Sequence, residues 1–151
     1  MPATNQFEDD LLDLIFNNVA SVNIGDSAGL LPSAAAGNTE LTLHTAALAE
    51  TDTLQTANEV AYTGYARPTQ ARTTGGWTIE GTAPTQATNA ALVQFGNMTA
   101  LGPDTVVDFG MTLWDGSTNY LQIYGALDAS LVINNGVNPQ FAINALDITL
   151  V

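Results

Sequence analysis

Apolar residues recur with two different periods along the chain, about four residues near the N-terminus and two residues further on. In the first part, Phe7, Leu11 and Ile15 lie four residues apart, which predicts an amphipathic helix over about residues 7–18. Neighbouring apolar residues widen this stripe beyond that of a simple surface helix. The helix is therefore expected either to cover one open end of the protein's own core or to dock on a neighbouring subunit.

The residues before and within the first turn favour a helix start at this point. Asn5, followed three residues later by Glu8, predicts a capping box. Acidic residues in the first turn also interact favourably with the helix dipole. Residues 21–38 are rich in glycine, alanine and other turn-forming residues and predict an extended connector. Residues 1–38 are therefore expected to form an N-terminal arm that contains one short helix.

From residue 39 to residue 151 the period of two predicts short β-strands separated by tight turns. The longest alternation runs from Thr105 to Trp114, and Asp115-Gly116 predicts a hairpin turn directly after it. Such local hairpins favour antiparallel pairing. We therefore predict a mainly β protein in which residues 39–151 form an antiparallel two-sheet β-sandwich of the jelly-roll type, preceded by the arm.

The charge balance excludes several kinds of partner. The chain has fifteen acidic residues, two arginines and no lysine, and its net charge is −13. A chain this acidic cannot neutralise the phosphates of a nucleic acid, and an anionic membrane surface repels it. We therefore predict no nucleic-acid partner and no membrane partner. The charge favours either solubility through mutual repulsion or a match to a basic partner surface.

The sequence also argues against cysteine-based sites, an export signal and a membrane span. The chain contains no cysteine, which rules out disulfides and thiolate metal sites. No basic leader precedes an apolar run, and no apolar stretch has the length of a membrane span. We therefore expect a soluble protein without an export signal.

No motif with established catalytic chemistry stands out. The single histidine, His44, has threonine neighbours and is expected to be a structural hydrogen-bonding residue. Asp115, Ser117 and Asn119 match the first ligand positions of a calcium loop, but Tyr120 replaces its glycine. A hairpin turn explains the same residues. We predict no catalytic residue, no metal site and no cofactor, and therefore a protein that is not an enzyme.

The segment from Glu59 to Arg67 holds two of the four tyrosines and one of the two arginines. Gly64, between the two tyrosines, permits a bulge or a positive φ. Tyr62 and Tyr65 combine apolar rings with polar tips, which suits either the margin of a core or an interface between subunits. Arg67 is expected to pair with Glu59 or with a carbonyl group at a subunit boundary.

This segment also carries a resemblance to a known family. Leu43-His44-Thr45-Ala46, followed by the segment itself and then by Trp77, resembles a family of small bacteriophage virion proteins. The similarity continues through Asp108-Phe109-Gly110 and Tyr124-Gly125-Ala126-Leu127, and it covers roughly residues 41–151. Members are often labelled phage tail fibre proteins, and related small proteins serve as capsid cement or decoration proteins.

The resemblance implies a cement protein that binds the outer capsid surface of the virion and stabilises contacts between subunits of the major capsid protein. Such a protein would be made in the host cytoplasm. Its partners would be the major capsid protein and copies of itself, as a dimer or a trimer. The candidate interface residues are Phe7, Leu11, Ile15, Tyr62, Tyr65 and Arg67.

Two alternative functions remain open from the sequence. The first is a tail fibre or tail adaptor protein, which differs from a cement protein in its location and copy number on the particle. The second is a carbohydrate-binding jelly-roll module with Trp114, Tyr120 and Tyr124 as a platform on which sugar rings stack.

Overall fold

The computed structural model describes residues 3–22, 24–81, 85–113 and 120–149. Its elements in chain order are α1 (Asn5–Phe16), β1 (Asn38–His44), β2 (Thr69–Ala71), β3 (Trp77–Glu80), β4 (Gln86–Asn89), β5 (Val93–Gln94), β6 (Asp104–Thr112), β7 (Ile123–Ile133), β8 (Gln140–Phe141) and β9 (Asp147–Thr149). The prediction of a mainly β chain with antiparallel sheets and one short helix is confirmed. The jelly-roll sandwich stays a prediction.

The chain divides into two compact units, which are each built from separate stretches of sequence. Unit 1 comprises Met1–Asn38, Gln70–Val93 and Phe141–Val151. Unit 2 comprises Thr39–Thr69 and Gln94–Gln140. The division into an arm over residues 1–38 and a sandwich domain over residues 39–151 stays a prediction.

The helix α1 begins two residues earlier than the hydrophobic spacing predicts. Thr4 is its N-cap, with an extended backbone (φ −88°, ψ 149°), and its side chain accepts a hydrogen bond from the Phe7 N–H at 3.4 Å. The predicted capping box of Asn5 and Glu8 is therefore wrong, because Asn5 is already the first helical residue.

Leu12 and Phe16 form the buried face of α1. They are 0% and 1% exposed, and the Phe16 ring packs on Trp77 with 4.8 Å between the ring centroids. Both residues are among those that widen the predicted stripe, and each lies one position after Leu11 or Ile15, so the core-facing side is rotated by about 100° from the line of Phe7, Leu11 and Ile15. Burial of each such side chain stabilises the fold by roughly 2–3 kcal/mol. The helix is thus part of the core of unit 1.

The sheet of unit 1 has the strand order β3-β4-β9, with antiparallel pairing throughout. Trp77 pairs with Asn89, and Ala87 pairs with Ile148. The Asn89 side chain donates to the Ala142 carbonyl at 2.7 Å and accepts from the Leu146 N–H at 2.9 Å. This buried amide therefore ties β4 to the chain that leads into β9.

The sheet of unit 2 contains β1, β6 and β7 in that order, again antiparallel. Leu41 pairs with Met111, and Phe109 pairs with Gly125. The alternation in β1 predicts a half-buried strand, but from Leu41 to His44 every residue is buried, so both faces of β1 are covered. The apolar core of this unit includes Leu41, Leu43, Val60, Tyr62, Phe95, Met98, Val106, Met111 and Ile133.

Two sequence predictions lie outside the described residues, namely the hairpin turn at Asp115-Gly116 and the calcium-loop positions Ser117 and Asn119. The sequence Asn134-Asn135-Gly136 also predicts a turn, and this turn follows β7, where Gly136 has a positive φ of 88°. Within the described part of the chain, α1 is too short and too polar to span a membrane.

Candidate functional site

Arg67 lies at the centre of a charged cluster in unit 2. Its guanidinium donates two hydrogen bonds to the Glu59 carboxylate, at 2.7 and 2.6 Å, and a third to Glu40 at 3.0 Å. A further bond of 3.2 Å reaches the side-chain oxygen of Gln55. The bonds to Glu59 are the main cause that raises the pKa of Arg67 above its ordinary value. The predicted pairing of Arg67 with Glu59 is present, and it lies within unit 2.

The two tyrosines of this segment pack next to the cluster. Their rings meet edge to face at a centroid distance of 5.3 Å, and Tyr65 also stacks parallel to Phe95. The Tyr62 hydroxyl donates to the Gly96 carbonyl, and the Tyr65 hydroxyl accepts from the Leu43 N–H. Burial raises the pKa of Tyr62 to about 12, with a smaller contribution from Asp104. Tyr62 therefore belongs to the core of unit 2 and the half-buried Tyr65 packs at its margin, whereas their interface role stays a prediction.

His44 is fully buried in β1 and bonded through both ring nitrogens. Nδ1 lies 2.7 Å from the Ala57 carbonyl oxygen, and Nε2 lies 2.8 Å from the Thr42 hydroxyl. Because a carbonyl only accepts, Nδ1 carries the proton and Nε2 accepts from Thr42. Burial lowers the pKa of His44, although the charges of Glu59 and Asp108 oppose that shift. His44 thus has the structural hydrogen-bonding environment that the sequence predicts.

Arg72 was not singled out by the sequence, yet it organises unit 1. Its guanidinium donates to the backbone carbonyls of Ile15 at 2.6 Å, Leu14 at 3.0 Å and Ala36 at 3.1 Å. The first two carbonyls belong to the last turn of α1, where the helix dipole is negative and backbone acceptors have no helical partner. Arg72 therefore caps α1 and fixes the end of the connector to it.

Residues 18–33 form a loop whose base is closed by hydrogen bonds, and we call it the clamped loop; Asn23 lies outside the described residues. Asn18 exchanges two bonds with the backbone of Ser33, at 3.0 and 2.8 Å. Ser21 and Leu30 exchange two backbone bonds, at 3.0 and 2.8 Å. Gly29 has φ +68°, and a Cβ at this position would meet the Ser21 carbonyl oxygen at 2.2 Å. The loop is therefore a defined structure within unit 1.

The clamped loop exposes several aliphatic side chains, and α1 presents others nearby in sequence. Leu31 is 69% exposed, and the other exposed members are Val19, Val22 and Leu30. On α1, Phe7 is exposed, whereas Leu11 and Ile15 are half-buried. Exposed aliphatic residues that cluster on a defined backbone are typical of surfaces that bind another protein. The sequence pattern had pointed to the helix but not to the loop.

Among the described residues, no group of three or more histidine, aspartate or glutamate side chains is placed to hold a metal ion. In the carbohydrate platform predicted from the sequence, Tyr120 and Tyr124 are exposed, and Trp114 lies outside the described residues.

Comparison with protein families identifies the class of the chain as a bacteriophage virion structural protein. The matching family is described as "Podophage GP4 fiber I protein gp80", and its model covers residues 2–149. Because the match extends over nearly the whole chain, the protein belongs to this family. No curated protein matches the chain. The predicted resemblance to small phage virion proteins is thus confirmed at the level of the virion and of a fibre-type family.

Proposed function

We propose that the chain is a structural subunit of a phage tail fibre, which acts by binding neighbouring proteins and not by catalysis. The observation that carries this proposal is the match to a fibre protein family over residues 2–149. The side chains best suited to chemistry support it, because His44, Arg67 and Arg72 are all bonded within their own units. No nucleic acid, membrane, metal or cofactor takes part in this function.

The exposed aliphatic side chains of the arm are the proposed attachment surface to the rest of the virion. Phe7 at the start of α1 and Leu31 in the clamped loop are both exposed, while Leu12 and Phe16 face the core of unit 1. Attachment through these exposed side chains therefore leaves the buried contacts of Leu12 and Phe16 in place. The backbone bonds of the clamped loop reduce the conformational entropy that binding would otherwise cost.

The location and copy number of the chain on intact particles test this function. Electron microscopy of virions, combined with quantitative mass spectrometry, should place the chain at the tail and in few copies relative to the major capsid protein. A distribution over the capsid shell, in a fixed ratio to the capsid subunits, would contradict a tail fibre.

That contradicting outcome would support a second function, a capsid cement protein on the outer capsid surface. Residues 41–151 resemble small phage virion proteins, some of whose relatives are cement or decoration proteins, and this resemblance and the same exposed aliphatic side chains favour it. Each copy would bury the apolar joints between capsid subunits, and attachment as a dimer or trimer would raise the effective affinity. Loss of capsid stability on removal of the chain is the result expected for this function alone.

A matched pair of variants tests the attachment surface. Leu31→Asp places a charge on the clamped loop and should reduce incorporation into particles at least tenfold. Leu92→Asp changes a residue of unit 1 that is also exposed but lies outside the arm, and it should be incorporated normally. Equal incorporation of the two variants, with both chains folded by circular dichroism, would show that the arm does not attach.

A carbohydrate-binding module is the remaining candidate, and the exposed Tyr120 and Tyr124 favour it. Stacking of sugar rings on these side chains predicts glycan binding that Tyr124→Ala abolishes. A glycan array probed with the purified chain checks this, and absence of binding to every glycan would reject it.

A further inference from the structure

β7 is the outermost strand of the unit 2 sheet. One side of β7 pairs with β6, and within the described part of the chain no backbone hydrogen bond joins residues 123–133 to a strand on the other side. A free edge of this kind presents unpaired N–H and C=O groups that can pair with another strand. Proteins commonly protect such edges with lysine, proline or charged residues, and β7 has no lysine, no proline and a single acid.

A bulge divides this edge into two segments. Val106 of β6 faces Leu131, and Asp108 faces Ala126, so Val107 alone lies opposite residues 127–130. A bulge bends its strand and interrupts regular pairing. The single acid of β7, Asp128, lies inside the bulge. The segment from Leu131 to Ile133 is therefore an uncharged, regularly paired piece of edge.

Exposed aliphatic residues lie within this segment and beside it. We call them the apolar end: Leu101, Leu131, Val132 and Val137. Leu101 is 74% exposed and has φ +68°, a conformation that is uncommon for a residue with a branched side chain. The backbone holds these residues together, because Asp104 pairs with Ile133 and the Met98 N–H donates to Val137. An exposed leucine kept in a strained conformation points to a functional surface.

The charge distribution indicates which partner fits the apolar end. The chain carries a net charge of −13, so two copies repel each other wherever acidic surfaces meet. Between residues 120 and 146 the sequence contains one acid, Asp128, and no base. This charge-poor region is therefore one on which a second copy can pack at a low electrostatic cost.

We propose that the segment Leu131–Ile133 pairs in antiparallel fashion with the same segment of a second copy, with Val132 next to the two-fold axis. Such an interface is isologous, so the two valines meet as a cross-strand pair and each apolar end covers the other. The two Asp128 residues then lie about 26 Å apart along the strands, and the two Asp104 residues lie roughly 14 Å apart across the four strands. Both separations exceed the Debye length of about 8 Å at physiological salt.

The inference rests on the proposed function only in that the chain acts by binding other proteins, here a second copy of itself. Its tests use the purified full chain and need no virion. If the chain is found at the tail but does not pair through β7, only the present inference fails. If the chain is found on the capsid but does pair through β7, only the tail-fibre function fails.

The absence of cysteine makes disulfide trapping a direct test, because one introduced cysteine has no competing thiol. In an antiparallel pair the Cα atoms of opposed residues lie about 4.5–5.5 Å apart, which a disulfide can bridge. Val132→Cys should therefore form a covalent dimer under mild oxidation. Tyr124→Cys, on the same strand but eight residues away, and Leu92→Cys, exposed in unit 1, should remain monomeric on a non-reducing gel. Linking at all three positions to the same extent, or at none, would overturn the proposal.

Sedimentation velocity supplies an independent measurement on the chain without cysteine. The unmodified chain should dimerise, and Val132→Asp should weaken the dimer at least tenfold because two like charges meet at the axis. High salt should recover part of this loss by screening. The matched Leu92→Asp should dimerise as the unmodified chain does. A chain that is monomeric at every concentration, or a dimer indifferent to Val132→Asp, would refute β7 pairing.

Discussion

The two arginines lie five residues apart in sequence but in different units, and they bind different kinds of acceptor. Arg67 in unit 2 donates to the carboxylates of Glu59 and Glu40, and this raises its pKa. Arg72 in unit 1 donates to three backbone carbonyls, and burial lowers its pKa. Arg67 therefore neutralises two carboxylates, and Arg72 caps the C-terminus of α1.

The comparison shows how a chain with fifteen acids and two bases places its positive charge. Glu59 and Glu40 have side chains that are largely shielded from water, and without a cation their charges would be costly to bury. The last turn of α1 carries only the partial negative charge of the helix dipole. Replacement of Arg67 should consequently lower the free energy of unfolding more than replacement of Arg72. The causes also differ, since the first leaves carboxylates unpaired and the second leaves backbone carbonyls unpaired.

Arg67→Met should produce the largest effect, a loss of about 2–4 kcal/mol in the free energy of unfolding, because it leaves two partly buried carboxylates unpaired. Chemical denaturation at neutral pH measures this loss. Addition of Glu59→Gln to Arg67→Met should recover part of the stability, since one of the unpaired charges is removed. If Arg67→Met unfolds at the same denaturant concentration as the unmodified chain, the cluster is not a stabilising element.

Arg72→Met should cost about 1–3 kcal/mol, since the three acceptors it abandons are uncharged carbonyls. The loss should be concentrated in α1, with faster amide hydrogen exchange in its last turn than in β6. Arg72→Lys keeps the positive charge at the helix end and should retain part of the protection. Unchanged exchange in α1 would show that Arg72 does not cap the helix.

Acidification should lower the stability of unit 2 through a group that unit 1 lacks, because the only histidine of the chain, His44, lies in unit 2. The folded pKa of His44 is below its ordinary value, so its contribution is complete above about pH 6.5 and is lost as the pH falls toward the folded pKa. The slope from this residue is at most about 1.4 kcal/mol per pH unit. Denaturation at pH 7.5 and 5.5 measures it, with His44→Gln as the control that lacks the titrating group. An equal loss in the control would assign the effect to the carboxylates.

Thr4→Ala should have the smallest effect, about 0.5 kcal/mol, because the N-cap bond that it removes is long. Thr4 caps the N-terminus of α1 with a neutral side chain, whereas Arg72 caps the C-terminus with a cation. The variant therefore compares the stabilising effects of the two caps. Thr4→Asn should restore the cap, and the two variants are compared by thermal unfolding. A loss that equals or exceeds that of Arg72→Met would reverse the ranking of the two helix ends.

Several features of the fold were predictable from the sequence because they depend on local chemistry. The period of four around Leu11 predicts α1, and the period of two after residue 39 predicts strands such as β1 and β6. The Asn-Gly turn after β7 follows from the backbone freedom of Gly136. The pairing of Arg67 with Glu59 was also anticipated, since only two cations are available to fifteen acids.

Other features of the candidate site could not be predicted, because they depend on contacts between distant residues. Arg72 meets the end of α1 across more than fifty residues of sequence, and no local pattern links the two. The side of α1 that faces the core is set by the position of Trp77, which favours Leu12 and Phe16, at the edge of the predicted stripe, over its central residues. The free edge of β7 likewise follows from the order of strands in the sheet.

The sequence by itself determined the class of elements, the acidic surface and the virion family, since periodicity, composition and short motifs are properties of the linear chain. The tertiary structure alone decided which charges are neutralised, which helix face is buried and which strand edge stays open. The physical reason is that packing contacts and ion pairs form only between groups within a few ångströms of each other in space, whatever their separation along the chain.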